Sequence, residues 1–266
     1  LEAIGRMASV DGRSEVSATF LVNCLLAPNC LPAVPDGALD YRVSPERLLG
    51  TIKGLESLTR QTPRVPLTEA ARRVIRDLSG HGRNDFTRIQ SAFGGAHAQS
   101  DLTEMTARIR RLSMQTLINI GDRHRDTVVS AAGDGDWQVR RLATMALGNM
   151  PLDGANVDEF AVATLDQKLK DPAFQVRIEA VKIAARLASR SGDCTALFNE
   201  TEDADAPVAM QALDGLTTAC KNTAPMLDRL HLLSDSLLDS VSKYPWQVGA
   251  RGLAALALLH VRHCLR

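Results

Sequence analysis

The densest group of metal-seeking side chains is His260-Val261-Arg262-His263-Cys264, with two imidazoles at helical i,i+3 spacing beside a thiol. A metal site needs three or four convergent ligands and Arg262 stands between them, so a polar helix end is the better reading. Asp134-Gly135-Asp136 resembles the opening of a calcium loop. Gln138, Arg140 and Leu142 then fall where further oxygen ligands belong, and no closing Glu follows, so a repeat turn explains the pattern better. His81 and His124 lie near Asp85 and Asp122 with no placed nucleophile, which is not a hydrolase triad. The five cysteines, Cys24, Cys30, Cys194, Cys220 and Cys264, contain no C-x-x-C pair, which removes zinc-ribbon and thioredoxin readings. The expectation is a protein with no catalytic residue, no metal and no cofactor.

The elements around these residues are repeated. Val139-Arg140-Arg141-Leu142-Ala143-Thr144-Met145-Ala146-Leu147 matches Val176-Arg177-Ile178-Glu179-Ala180-Val181-Lys182-Ile183-Ala184. Looser copies begin at Ile109, with Ser113, Thr116 and Leu117; at Val208, with Ala212, Gly215 and Leu216; and at Val248, with Gly252, Ala255 and Leu256. Offsets 0, 4, 7 and 8 share one face of an α-helix, and small residues at 4 and 7 let a neighbouring helix approach closely. Upstream stand the turns Asp134-Gly135-Asp136, Asp171-Pro172 and Asp203-Ala204-Asp205, where Asp can cap exposed amides and Pro can occupy a first turn. Further amphipathic stretches, 157–169 and 225–241, supply a second helix per unit. Only ten residues are aromatic, and cores built from Ala and Leu suit closely packed helices rather than a β-sandwich.

This pattern resembles the HEAT-repeat family, most closely at Asp171-Pro172-Ala173-Phe174-Gln175-Val176-Arg177. The resemblance covers about 102–260 and implies an all-α fold, a right-handed α-α superhelix of stacked helical pairs. It also implies an Asp and Arg ladder between adjacent turns, here Asp134, Arg140, Asp171 and Arg177. Ala209 and Gly249 stand where later copies would carry Arg, so the ladder is expected to end before the C-terminus. The reading is a single solenoid over 1–266, degenerate over 1–100 with a Pro-rich loop near 27–45, and clearer over 101–266. Leu1 to Met7 reads as the second half of a striped helix, so the chain is expected to begin inside a repeat. Thr51, Gly54 and Leu55 fall at stripe spacing within 45–59, 67–78 reads as a helix opened by Thr68-Glu69, and 80–100 reads as an irregular connection.

Cys194 follows one striped helix and Cys220 ends the next, so stacking would bring them to one edge. A disulfide there competes with two buried or half-exposed thiols; Cys24 with Cys30 is a weaker pair. Paired cysteines lean towards an exported or periplasmic protein over a cytoplasmic one. The apolar run 253–259 is far shorter than the roughly 20 residues of a membrane span.

Charge is balanced, 31 Lys and Arg against 31 Asp and Glu, which argues against a binder that relies on a global positive field. Nucleic acid would need a local patch such as Arg108, Arg110, Arg111, Arg123 and Arg125. HEAT-like hydroxylases use His-Glu pairs, and none of the six histidines precedes a Glu. HEAT-like DNA glycosylases cradle DNA with aromatic residues, whereas Trp137 and Trp246 are expected to pack between units. The function that the resemblance implies is a non-catalytic scaffold of bacterial type, binding a protein or peptide on the concave face. By offset that ridge is Leu142, Met145 and Asn149; Glu179, Lys182 and Arg186; Gln211, Asp214 and Thr218; and Arg251, Ala254 and Leu258. The alternatives are a lyase-like or glycosylase-like enzyme, a nucleic-acid-binding array, or an accessory array joined to a cyclophilin-type prolyl isomerase domain, whose own motifs are absent here.

Overall fold

A computed structural model describes residues 1–7, 14–26, 45–61, 65, 67–79, 96–152, 158–220, 223–239 and 244–264, and all regular structure among them is helical. They form two compact units, Leu1–Asn149 and Met150–Arg266. The first contains α1 (Glu2–Met7), α2 (Ser14–Leu26), α3 (Pro45–Gln61), α4 (Glu69–Ser79), α5 (Ala96–Asn119), α6 (Arg125–Ala132) and α7 (Trp137–Leu147). The second contains α8 (Glu159–Leu169), α9 (Phe174–Ser191), α10 (Thr195–Glu200), α11 (Ala206–Ala219), α12 (Thr223–Asp235), a 3-10 turn (Ser236–Leu238) and α13 (Trp246–Cys264).

The small-residue stripe is what packs. Val139, Ala143, Ala146 and Leu147 of α7 are buried, as are Val176, Ala180, Ile183 and Ala184 of α9. The same offsets are buried on α11 (Val208, Ala212, Gly215, Leu216), on α13 (Val248, Gly252, Ala255, Leu256) and on α5 (Ile109, Ser113, Thr116, Leu117). Each fully buried Val, Ile or Leu contributes about 1.5–3 kcal/mol relative to an exposed one, and the small stripe residues beside them let the helices approach closely. In the second unit α9 packs on α8 and α11, α11 on α9, α10 and α13, and α13 on α11 and α12. In the first, α3 packs on α1 and α5, α5 on α4 and α7, and α7 on α6.

Glycine is required where two backbones meet. A Cβ on Gly54 would lie 2.8 Å from the Leu1 carbonyl oxygen, and one on Gly5 would lie 2.1 Å from that of Gly54. Gly249 is a second such place, because its Cβ would lie 2.9 Å from the Leu233 carbonyl oxygen. A larger side chain at this position would collide with α12.

The turns start the helices by side-chain hydrogen bonds. Asp134 Oδ1 accepts from the Asp136 amide at 2.8 Å, and Asp136 Oδ1 accepts from Gln138 N at 2.7 Å, satisfying amides that a helix start leaves open. Asp171 Oδ1 accepts from Ala173 N at 3.0 Å, and Asp203 Oδ1 from Asp205 N at 2.7 Å. Gly192, with φ of 80°, ends α9 in the left-handed conformation that favours glycine. One expectation about connections changes: residues 96–100 are helical, as the start of α5. The Pro-rich 27–44 lies outside the described residues.

Candidate interaction surface

The ladder residues act through two kinds of bond. Arg140 Nη1 donates to the carbonyl oxygens of Asp134 and Gly135 at 2.9 and 3.1 Å, and Arg177 Nη1 donates to the Asp171 carbonyl at 2.7 Å. Each arginine thus folds back on its own turn. Arg177 also reaches forward, donating from Nε and Nη2 to the two Asp203 carboxylate oxygens at 2.7 and 2.8 Å and from Nη2 to Asp205 at 2.6 Å. Arg110, the equivalent residue of the earlier copy, donates from Nε to Asp134 at 2.8 Å, while Arg111 donates to Asp136 at 3.0 Å. Planar guanidinium suits this forked contact, and half-buried charge-assisted bonds are stronger than exposed ones.

A rung at the N-terminal side was missed by sequence reasoning. Arg76 of α4 donates from Nε and Nη2 to Asp122 at 3.2 and 2.6 Å. Burial works to raise the Asp122 pKa, but the Arg76 guanidinium and the His124 amide outweigh it and hold the carboxyl below its ordinary range. The available signal was an Asp three residues before a helix start, as in the other turns. Asp122 therefore serves a turn; His124 is exposed, with its ring Nδ1 3.2 Å from Thr127 Oγ1. His81 and Asp85 lie outside the described residues, as do the side chains of His260, His263 and Cys264.

Beside the Arg177 rung an open cleft of about 420 Å³ is lined by Lys170, Asp171, Arg177, Asn199, Glu200 and Asp203, among others. Glu200 ends α10, where a helix terminus disfavours negative charge. Burial first, and the Asp203 charge second, push its carboxyl up to about 7 against the pull of Arg177 and Lys170. The folded chain therefore holds a proton that the unfolded chain, with an ordinary carboxyl, releases at lower pH. The cost to the folded state is absent below the ordinary glutamate pKa and complete above pH 7. Glu200→Gln is expected to stabilise the chain by about 1 kcal/mol at pH 8.5, a figure reduced for the half-exposed site, and by nearly nothing at pH 4.5. Urea denaturation at both pH values checks it; equal shifts at the two would refute the assignment.

The predicted ridge residues fall into two groups. In the second unit Lys182, Arg186, Thr218, Arg251 and Ala254 are exposed and Gln211 and Asp214 half-buried. Arg251 Nε donates to Asp214 Oδ1 at 2.6 Å, joining α13 to α11 across the ridge. Glu179 departs from the expectation: it is only 7% exposed, 3.3 Å from Lys182 Nζ, so it supports the ridge from below. In the first unit Asn149 is exposed while Leu142 and Met145 are half-buried, and the Leu258 side chain is outside the described residues.

Cys194 and Cys220 form a disulfide, with their Cα atoms 6.1 Å apart. Cys24 is also disulfide-bonded, and Cys30 lies outside the described residues. Trp246 departs from the expectation of packing between units: it is 71% exposed. Of the candidate basic patch, Arg110 and Arg111 are committed to Asp134 and Asp136. Among the described residues, no helix is long and apolar enough to cross a membrane, and no group of three His, Cys, Asp or Glu is placed to hold a metal ion. Comparison with protein-family models and with curated proteins finds no match for this chain.

Proposed function

We propose that the chain is a HEAT-like array, wound as a right-handed superhelix of helical pairs, and works as a non-catalytic scaffold that holds a protein or peptide segment. The observation that carries this reading is the ridge across α9, α11 and α13. Three helices packed in series present Lys182, Arg186, Thr218 and Arg251 to solvent, with the Asp214–Arg251 pair bridging two of them. Such a face offers charges of both signs with apolar spacing between them, which suits a polypeptide better than a phosphate backbone. The disulfides support an oxidising compartment, in keeping with export.

The test is affinity capture with the intact chain, compared with the variant Arg186→Glu. This side chain is exposed, so melting temperature should hold while recovery of a specific partner falls about tenfold or more, the scale of 1.4 kcal/mol. Salt-sensitive retention of nucleic acid in place of any specific protein would overturn the reading.

A further inference from the structure

Charge is divided unevenly among the helices of the second unit. Over Met150–Arg266 acids outnumber bases, fifteen to twelve. Yet α9, α11 and α13, which pack in series, carry only two of those acids, Glu179 and Asp214, against Arg177, Lys182, Arg186, Arg190, Arg251 and Arg262. The intervening helices α8, α10 and α12 reverse the balance, with five acids against Lys168 and Arg229. The ridge helices are the basic part of an acidic unit, and such a segregated field selects the sign of what approaches it.

Pairing within the ridge leaves the excess on α9. Both ridge acids are already engaged, Glu179 with Lys182 at 3.3 Å and Asp214 with Arg251 at 2.6 Å, while Arg177 is turned to Asp203 and Asp205. Arg186 is exposed and makes no ion pair among the described residues, and it stands one turn from Lys182 and one from Arg190, both exposed. Lys182 and Asp214 hold the same offset from their stripe valines, as do Arg186 and Thr218, so this row continues the face that the Asp214–Arg251 pair crosses. Cations at i, i+4 and i+8 stand about 6 Å apart, close to the roughly 6.7 Å between alternate residues of an extended chain. Guanidinium groups in such a row suit carboxylates, which they hold by forked bonds. Building on the scaffold reading above, we propose that the row is the docking site for an acidic peptide segment, bound extended along α9 with carboxylates at alternate positions facing Lys182, Arg186 and Arg190.

Fluorescence anisotropy of the intact, disulfide-bonded chain with a labelled Glu-Gly repeat peptide of about twelve residues tests this. Saturable micromolar binding is expected at about 50 mM salt, weakening as salt rises, with none of the Lys-Gly repeat of the same length. Arg186→Gln should weaken it about threefold and Arg186→Glu about tenfold, whereas Lys170→Gln, at an exposed cation just beyond α8, should leave it unchanged. The two Gln variants alter net charge equally, so equal losses from them would reveal a general field instead of a site and overturn the proposal. No saturable binding of the acidic peptide, or equal binding of the Lys-Gly repeat, would also overturn it; if Arg186→Glu still abolished capture of a protein, the scaffold reading would stand without it. Displacement of the acidic peptide by oligothymidylate, with no protein captured, would overturn both.

Discussion

Replacing Cys194 and Cys220 together by alanine is expected to lower unfolding stability by about 3.5 kcal/mol, the chain entropy released when a loop of this length opens. The bridge spans 26 positions and encloses α10, a helix of six residues. Helices shorter than roughly 12 residues are marginal alone, so α10 depends on what holds its ends. One end is Cys194, which precedes the helix directly and is bonded to Cys220 just beyond the end of α11. The other holds through Thr201, whose hydroxyl donates to the Phe198 carbonyl at 2.7 Å. Urea titration of the oxidised chain and the double variant measures the difference. A loss below 1 kcal/mol would mean that packing of Leu197, fully buried beneath Gly215, holds the segment without the bridge. Using the variant rather than a reductant leaves the bond at Cys24 intact.

Arg177→Ala is expected to cost about 3 kcal/mol, more than an exposed ion pair contributes, because it strands the groups around it. The Asp203 side chain is 8% exposed and accepts two of the arginine's bonds, while the Asp171 carbonyl accepts a third. Removing the cation leaves a buried carboxylate next to Glu200, whose own proton affinity Arg177 now restrains. Arg177→Lys should recover less than half, since an ammonium cannot span both carboxylate oxygens. Adding Asp203→Asn to Arg177→Ala should recover more, because it removes the unpaired charge while keeping the oxygen that accepts the Asp205 amide. Chemical denaturation of the single, conservative and double variants checks this. If Asp203→Asn brings no recovery, the lost bond to the Asp171 carbonyl dominates instead.

These two expectations rest on residues of different legibility. Arg177 stood out from sequence because it recurs after a turn Asp and a stripe Val. Its forward partner did not: the resemblance implied a ladder between adjacent turns but left Asp203 out of it. The pairing of Cys194 with Cys220 followed from the stripe once stacking was assumed, and free thiols stayed open until the Cα separation was known. Glu200 carried no sequence signal, because its raised pKa arises from burial and from Asp203, both consequences of how α10 closes against the turn.

Glu179 shows the limit of reading a helix by offset. Periodicity assigns each residue an angle around its own axis, and by that angle Glu179 belonged with Lys182 and Arg186 on the open side. Burial depends on where the neighbouring helices pass, which the angle does not contain. Trp246 shows the converse: its place in the repeat called for a packing role, yet it stands 71% exposed.

By itself the sequence determined the helical class, the stripes that pack and the turns that start them. These follow from local rules, a 3.6-residue period and the capping power of Asp, which act within a few residues. Only the tertiary structure decided which carboxylates each arginine meets, which ridge residues reach solvent and which face of α13 lies bare. Those depend on distances between segments some 25 to 45 positions apart, as in Arg177 with Asp203 and Arg76 with Asp122, and no local rule carries that information.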